Sequence, residues 1–289
     1  MAATPPPTAT AAGTLTLGGD MPVHRLGFGA MRITGQGIWG EPEDRDGAIA
    51  LLRRLVDLEV NFIDTADSYG PNVSEELIAE ALHPYPPDLV IATKGGLTRP
   101  GPGRWEPDCR PERLKRCCEE SLLRLKLDAI PLYQLHTPDS KVPFEESVGA
   151  LAELRDEGKV RHVGLSNVGV EHLRRAQEIV PIVSVQNRYS VTARDSEAVL
   201  GTCQEQGLGF IPWFPLDAGG IAADVLAEVG SAHDAAPMLV ALAWLLQHSD
   251  AMLPIPGTSS LAHLEENVAA AGLRLTDDEL DQLDGLATD

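Results

Sequence analysis

Residues 130–167 read IPLYQLHTPDSKVPFEESVGALAELRDEGKVRHVGLSN, and the pattern within them decides the fold. A short apolar run, Ile130–Leu135, has strand length and ends at His136. The amphipathic segment Pro143–Glu157 follows, with Pro143 suited to a first helical turn and Gly158 placed where a helix should stop. A second apolar run, His162–Leu165, then ends at Ser166 and Asn167. Strand, helix and strand in this order form a parallel βαβ unit.

The same alternation runs along almost the whole chain. Further strands are expected at Leu26–Phe28, Asn61–Asp64, Leu89–Thr93, Ile182–Gln186, Phe210–Pro212 and Leu253–Ile255. Further helices are expected at Asp46–Leu58, Ser74–Leu82, Pro111–Leu125, Val170–Ile179, Asp195–Gln206, Pro237–Gln247 and Leu261–Ala271. A last helix, Asp277–Leu286, opens on the capping-box pair Thr276 and Glu279. Thr14–Leu17 and Met21–His24 flank Gly18, Gly19 and Asp20 as a hairpin would. Eight strands, each followed by a helix, predict an α/β fold: a (β/α)8 TIM barrel with an N-terminal β-hairpin and an extra C-terminal helix. An open doubly wound sheet would carry a glycine-rich loop opening its first helix, and Gly27-Phe28-Gly29 has no third glycine there. Residues 1–13, rich in Ala, Thr and Pro, read as a disordered tail, and residues 14–289 as one domain. Pro131 removes a ladder donor from the fourth strand, which could shift the start of that strand without moving His136.

Composition narrows the function. The 289 residues are 43% hydrophobic, enough for one large core, and the formal net charge is -20. Such a surface repels nucleic acid and anionic membrane, and no stretch is long and apolar enough to span a bilayer. The expectation is a cytoplasmic protein, monomeric or weakly oligomeric, acting on a small molecule. Cys109, Cys117, Cys118 and Cys203 show no zinc-like spacing with histidine, so no metal is expected.

Placed on these strands, Asp64, Lys94, His136, Ser166, Asn167 and Gln186 all fall at C-terminal strand ends, the face where barrel enzymes build their sites. Any one of them alone would be ordinary: a cap, a surface charge, a satisfied core histidine. Together on one mouth they point to chemistry. Tyr69 lies in the loop after Asp64, which can fold its phenol back over that mouth. An ammonium ~4 Å from a phenol is worth roughly 4 kcal/mol at an effective dielectric of about 20. Lys94 would thereby lower the phenol pKa from ~10 by up to about three, before burial opposes it.

At this point the chain resembles the aldo-keto reductases. Asn61–Ala66 with Tyr69-Gly70, Ala92-Thr93-Lys94, Leu132–His136, Gly164–Asn167, Ile255–Thr258 and Glu265-Glu266-Asn267 look like that family's signatures, in order, over residues 14–286. Gly35–Pro42 and Pro212–Leu216 resemble the bacterial branch containing pyridoxal-type reductases. The resemblance implies a catalytic tetrad of Asp64, Tyr69, Lys94 and His136, with Tyr69 as proton donor. It also implies NADPH as cofactor, NADH being bound more weakly. The cofactor would be held by Gly29, Met31, Ser166, Asn167, Gln186, Trp213, Pro215, Leu216, Gly257, Thr258, Ser259, His263, Glu266 and Asn267. His263 stands where many relatives carry an arginine for the 2′-phosphate, so a protonated imidazole would have to supply that charge.

The small carbonyl substrate would meet the loops Gly35–Glu41, Leu97–Asp108 and Leu216–Asp234, with Trp39 and Trp105 as apolar walls. Two other functions fit part of the pattern. One is a Schiff-base lyase using Lys94, which needs a neutral lysine. The other is a nucleotide-sensing subunit without turnover.

Overall fold

The computed structural model describes residues 7–215 and 221–287. Its centre is a seven-stranded parallel sheet formed by β3 (Phe28–Gly29), β4 (Phe62–Asp64), β5 (Val90–Gly95), β8 (Ile130–Leu135), β9 (Val160–Ser166), β10 (Ile182–Arg188) and β11 (Gly209–Trp213). The spatial order is β11-β10-β9-β8-β5-β4-β3. The helices are α1 (Arg45–Asp57), α2 (Val73–Leu82), α3 (Pro111–Leu125), α4 (Phe144–Asp156), α5 (Val170–Gln177), α6 (Glu197–Gln206), α7 (Ile221–Ala232), α8 (Pro237–His248), α9 (Leu261–Ala269) and α10 (Asp277–Asp284). Two antiparallel pairs lie apart from the sheet: β1 (Thr14–Leu17) with β2 (Met21–His24), and β6 (Leu97–Gly101) with β7 (Arg104–Pro107).

Side chains alternate across each strand with period two, and this alternation positions the site. One parity faces the helices: Ile63 and Ile91 join one outer cluster, and Tyr133, Leu135, Val163, Leu165 and Val185 another. The other parity faces inward. Its lower layer is apolar, with Phe62, Val90, Ala92, Leu132 and Ile211 packed on Leu17, Met21 and Val23 of the β1–β2 hairpin, which plugs the N-terminal end. Two residues further along β4, β5 and β8, that parity delivers Asp64, Lys94 and Gln134, and β9 and β10 add Ser166 and Gln186 near their C-terminal ends. The register steps from strand to strand, pairing Asp64 with Ala92, Lys94 with Gln134, Gln134 with Gly164 and Ser166 with Gln186.

Three expectations are corrected. Leu253–Ile255 forms no strand. Instead Phe210 N donates to Ala251 O (2.8 Å), Leu253 N to Phe210 O (2.9 Å) and Gly27 N to Pro254 O (2.9 Å), so one extended segment bridges both edges of the sheet. Pro254 and Pro256 have no N–H to offer a ladder, which accounts for the bridge in place of a strand. Within the expected tail, Ala9–Ala12 form a 3-10 helix, Ala9 is fully buried, and its N–H donates to Leu58 O at 3.0 Å, while residues 1–6 lie outside those described. Small alanine side chains allow that close approach. The expected specificity loop Leu216–Asp234 is largely α7, its residues 216–220 lying outside those described. Pro131 sits within β8, ahead of the first β5–β8 pairing at Leu132, so its missing donor breaks no bond to β5.

Candidate active site

The strand ends converge on a cleft of about 660 Å³. At its floor Lys94, fully buried, donates to Asp64 Oδ2 (2.6 Å), to Thr65 O (3.0 Å) and to the Tyr69 hydroxyl (3.3 Å). Asp64 Oδ1 accepts from Gln134 Nε2 (3.0 Å) and Gln186 Nε2 (2.8 Å). The carboxylate is thus saturated by a cation and two amides, which is what lets a buried charge persist. The loop after β4 reaches back through Thr65 N to Ala92 O (2.8 Å), and the turn Tyr69 N to Ala66 O (3.1 Å) returns the phenol over Lys94. The His136 ring stands edge-on to Tyr69, with centroids 5.9 Å apart, and its Nδ1 lies 3.5 Å from Ser68 Oγ.

The electrostatics separate the roles. Burial works against charge on Lys94, but Asp64 and Tyr69 outweigh it, and the ammonium pKa ends above its ordinary value. Burial first, then the Lys94 charge, hold the His136 imidazole well below its usual range, so it is neutral at pH 7. Tyr69 reverses the expected direction: burial raises the phenol above its ordinary value, and Lys94 only partly opposes this. The sequence supplies the neighbouring charge but not the depth of burial, and here burial wins.

Around this core, Asn167 takes a left-handed conformation (φ 59°) and ties three parts together. Its Nδ2 donates to His136 O (2.9 Å) and Ser166 Oγ (3.1 Å), and its Oδ1 accepts from Trp213 Nε1 (3.0 Å), which fixes the plane of the indole. Gly29, Met31, Ser166, Asn167, Gln186, Trp213, Pro215 and Gly257 all line the cleft, as does Trp105. Trp39 does not; it pairs with Gly70 in an isolated bridge beside the loop that carries Tyr69. Thr258, Ser259, His263, Glu266 and Asn267 lie beyond the cleft's end at Gly257, on or just before α9, where Ser260 caps His263 N at 3.4 Å. Leu216 falls outside the described residues.

Three residues that sequence reading passed over belong here. Gln134 shares the Asp64 carboxylate, and its place two before His136 on the same strand was the available signal. Arg32 lines the cleft near Gly257 and has no carboxylate partner among the described residues. An arginine three residues after Gly29 in so acidic a chain was its signal. Arg99 is the third. Nothing in the sequence marks it, because its partners come from three separate segments. Among the described residues, no group of three or more His, Cys, Asp or Glu could hold a metal ion. The four cysteines are buried and unpaired, and burial pushes Cys109, Cys118 and Cys203 up to about 12.

A curled parallel sheet carries Asp64, Lys94 and Tyr69 hydrogen-bonded together at its C-terminal mouth. A profile of the aldo/keto reductase family matches residues 25–288, and this chain belongs to that family. It is 49% identical to an uncharacterized oxidoreductase of Schizosaccharomyces pombe, covering 96% of this chain and 90% of that protein. It is 43% identical to pyridoxine 4-dehydrogenase of Escherichia coli, covering 95% and 98%. The crystal structure of an aldo-keto reductase from Klebsiella pneumoniae in complex with NADPH superposes with a TM-score of 0.80, at 27% identity, covering 94% of each chain. The chain is therefore an NAD(P)-dependent oxidoreductase.

Proposed function

We propose that the protein reduces a small aldehyde or ketone to the alcohol with NADPH, Tyr69 donating the proton to the carbonyl oxygen. The observation that carries this is the buried chain from Asp64 through Lys94 to the Tyr69 hydroxyl, opening into a cleft beside a neutral His136.

The residues present fit a dinucleotide. Arg32 puts a cation, without a carboxylate partner among the described residues, at the Gly257 end of a cleft in a chain of net charge -20, as a polyanion requires. A Cβ on Gly257 would lie 2.5 Å from Gly29 O, so no side chain can stand between those two backbones. Trp213, held in plane by Asn167, offers a flat apolar face. The NADPH-bound relative supports the same choice. When bound, the reduced nicotinamide supplies hydride to the carbonyl carbon.

The chain's own residues do the rest. Tyr69 and His136 hold the carbonyl oxygen by hydrogen bonds, and Tyr69 releases its proton as charge builds there. Lys94 stabilises the phenolate left behind, and Asp64, hydrogen-bonded by Gln134 and Gln186, faces Lys94 and favours its charged form. A lysine so held is a poor nucleophile, which disfavours the Schiff-base reading. The kinship with pyridoxine 4-dehydrogenase makes pyridoxal and simple aromatic aldehydes the first substrates to try. A panel of such carbonyls should consume NADPH absorbance without added metal. A protein that binds NADPH yet turns over none of them would instead be the nucleotide-sensing subunit.

A further inference from the structure

We propose that Arg99 is a positioning residue that sets which carbonyls the cleft admits, by bracketing the loops around its aromatic wall. The inference rests on the carbonyl-reductase reading above. Arg99 lies on β6 with only 9% of its surface exposed. Its Nη1 donates to Ile38 O (2.9 Å) and to Ser68 O (3.1 Å), its Nη2 to Gly37 O (3.3 Å) and its Nε to Arg104 O (3.0 Å). Three segments distant in sequence therefore meet on one guanidinium: the loop at 35–41, the loop bearing Tyr69, and the β6–β7 hairpin.

Two features separate this from an ordinary structural arginine. No carboxylate lies within ion-pairing distance of Arg99 among the described residues, and the hydrogen bonds resolved for it all go to backbone carbonyls. Its flat face also lies 3.6 Å from the Trp105 ring centroid, with the Trp39 ring 5.5 Å away. Trp105 lines the cleft and stands edge-on to Tyr69 at 6.3 Å. The bracket also holds Ile38 at φ 58°, a left-handed conformation that a β-branched residue keeps only when its surroundings impose it. Freed of Arg99, that loop and the hairpin would relax, and the Trp105 wall would lose its fixed distance from the proton donor. A lysine cannot replace the bracket, since a single ammonium does not reproduce a planar fork with divergent donors.

The test uses Arg99→Met, Arg99→Lys and Trp105→Ala, assayed with saturating NADPH on aldehydes from propanal to pyridoxal and naphthaldehyde. Both Arg99 variants should raise KM for the two-ring aldehyde about tenfold or more and for propanal by less than about threefold, and Trp105→Ala should reproduce that grading without disturbing the bracket. Amide exchange in 35–41 and 97–107 should quicken about tenfold or more in both Arg99 variants, while β8 and β9 stay as they were. Equal KM changes at every size, wild-type behaviour in Arg99→Lys, or unaltered exchange in Arg99→Met would each overturn the proposal. If the wild type reduces no carbonyl, the reaction assigned here falls, and the exchange measurement still reads the bracket by itself.

Discussion

Tyr69 has two opposed influences, and their sum sets the pH behaviour of the reaction. Because burial lifts the phenol above its ordinary pKa, the group stays protonated through the neutral range. Carbonyl reduction should therefore hold a level kcat/KM through the neutral range and fall only above the pH at which an ordinary phenol ionises, while alcohol oxidation should rise with pH. Tyr69→Phe should keep cofactor affinity and lose ~10²-fold or more in turnover, the usual worth of a general acid. Near-normal turnover in that variant would remove Tyr69 from the chemistry. Asp67, two residues earlier, titrates in the opposite sense to a salt-bridged carboxylate. Burial, with Glu75 adding to it, pushes its pKa up to about 7, and its Oδ1 has no hydrogen-bond partner. The folded state then binds a proton that the unfolded chain releases near ~3.9, so stability declines as pH rises from about 4 to about 7 and the penalty is complete above that. Asp67→Asn should raise Tm at pH 8 by several degrees and much less at pH 4, as thermal melts at the two pH values would show. The meeting of Asp64, Lys94 and His136 was legible because each falls at or beside a strand end, and that of Tyr69 because it lies in the loop that follows Asp64. The sign of the Tyr69 shift and the strain at Asp67 were not, since both depend on burial.

Among the elements, β9 shows how a single missing side chain shapes the site. Gly164 sits level with Gln134, and a Cβ there would come within 2.6 Å of Ser184 Oγ and 3.0 Å of Gln134 Cγ. The space left by glycine is what allows Gln134 to turn across the barrel to Asp64. Gly164→Ala should destabilise the fold by about 1–3 kcal/mol through overpacking. It should also lower kcat, since a displaced Gln134 leaves the Asp64 carboxylate short of a donor. Denaturant melts and steady-state rates would check both, and a wild-type kcat would show that Asp64 does not need Gln134. Element placement itself was readable to within a few residues wherever a run had both a period and a stop. Pro111–Leu125 is found as expected, bounded by its N-terminal proline and a left-handed Lys126. The errors differ in cause. Ala9–Ala12 is fixed by Leu58, a neighbour remote in sequence whose hydrogen bond no local pattern encodes, whereas Leu253–Ile255 fails as a strand at Pro254 and Pro256, which the sequence already shows.

For the whole molecule, the question is how so negative a body holds a nucleotide. Arg32→Ala should weaken NADPH about tenfold or more, roughly 1.4 kcal/mol, measured by cofactor titration. An equal loss for NADH would place Arg32 on the shared pyrophosphate, and a smaller one on the 2′-phosphate. His263 is exposed beyond the cleft's end on the first turn of α9. His263→Ala should weaken NADPH while leaving NADH nearly unchanged, and unaltered NADPH binding in that variant would leave phosphate recognition to Arg32 and the α9 amides. The bridge at residues 251–255 bears on the same event. Where β8 and β9 share a full ladder, the two sheet edges are joined among the described residues by three backbone hydrogen bonds, and the bridging strip continues through Ile255 and Pro256 into the cleft wall at Gly257. The cylinder thus has a zip, and it runs beside the nucleotide berth. Breathing of the empty enzyme should concentrate along that line, and a molecule seated there would act as a clasp, stiffening the whole ring from its weakest join.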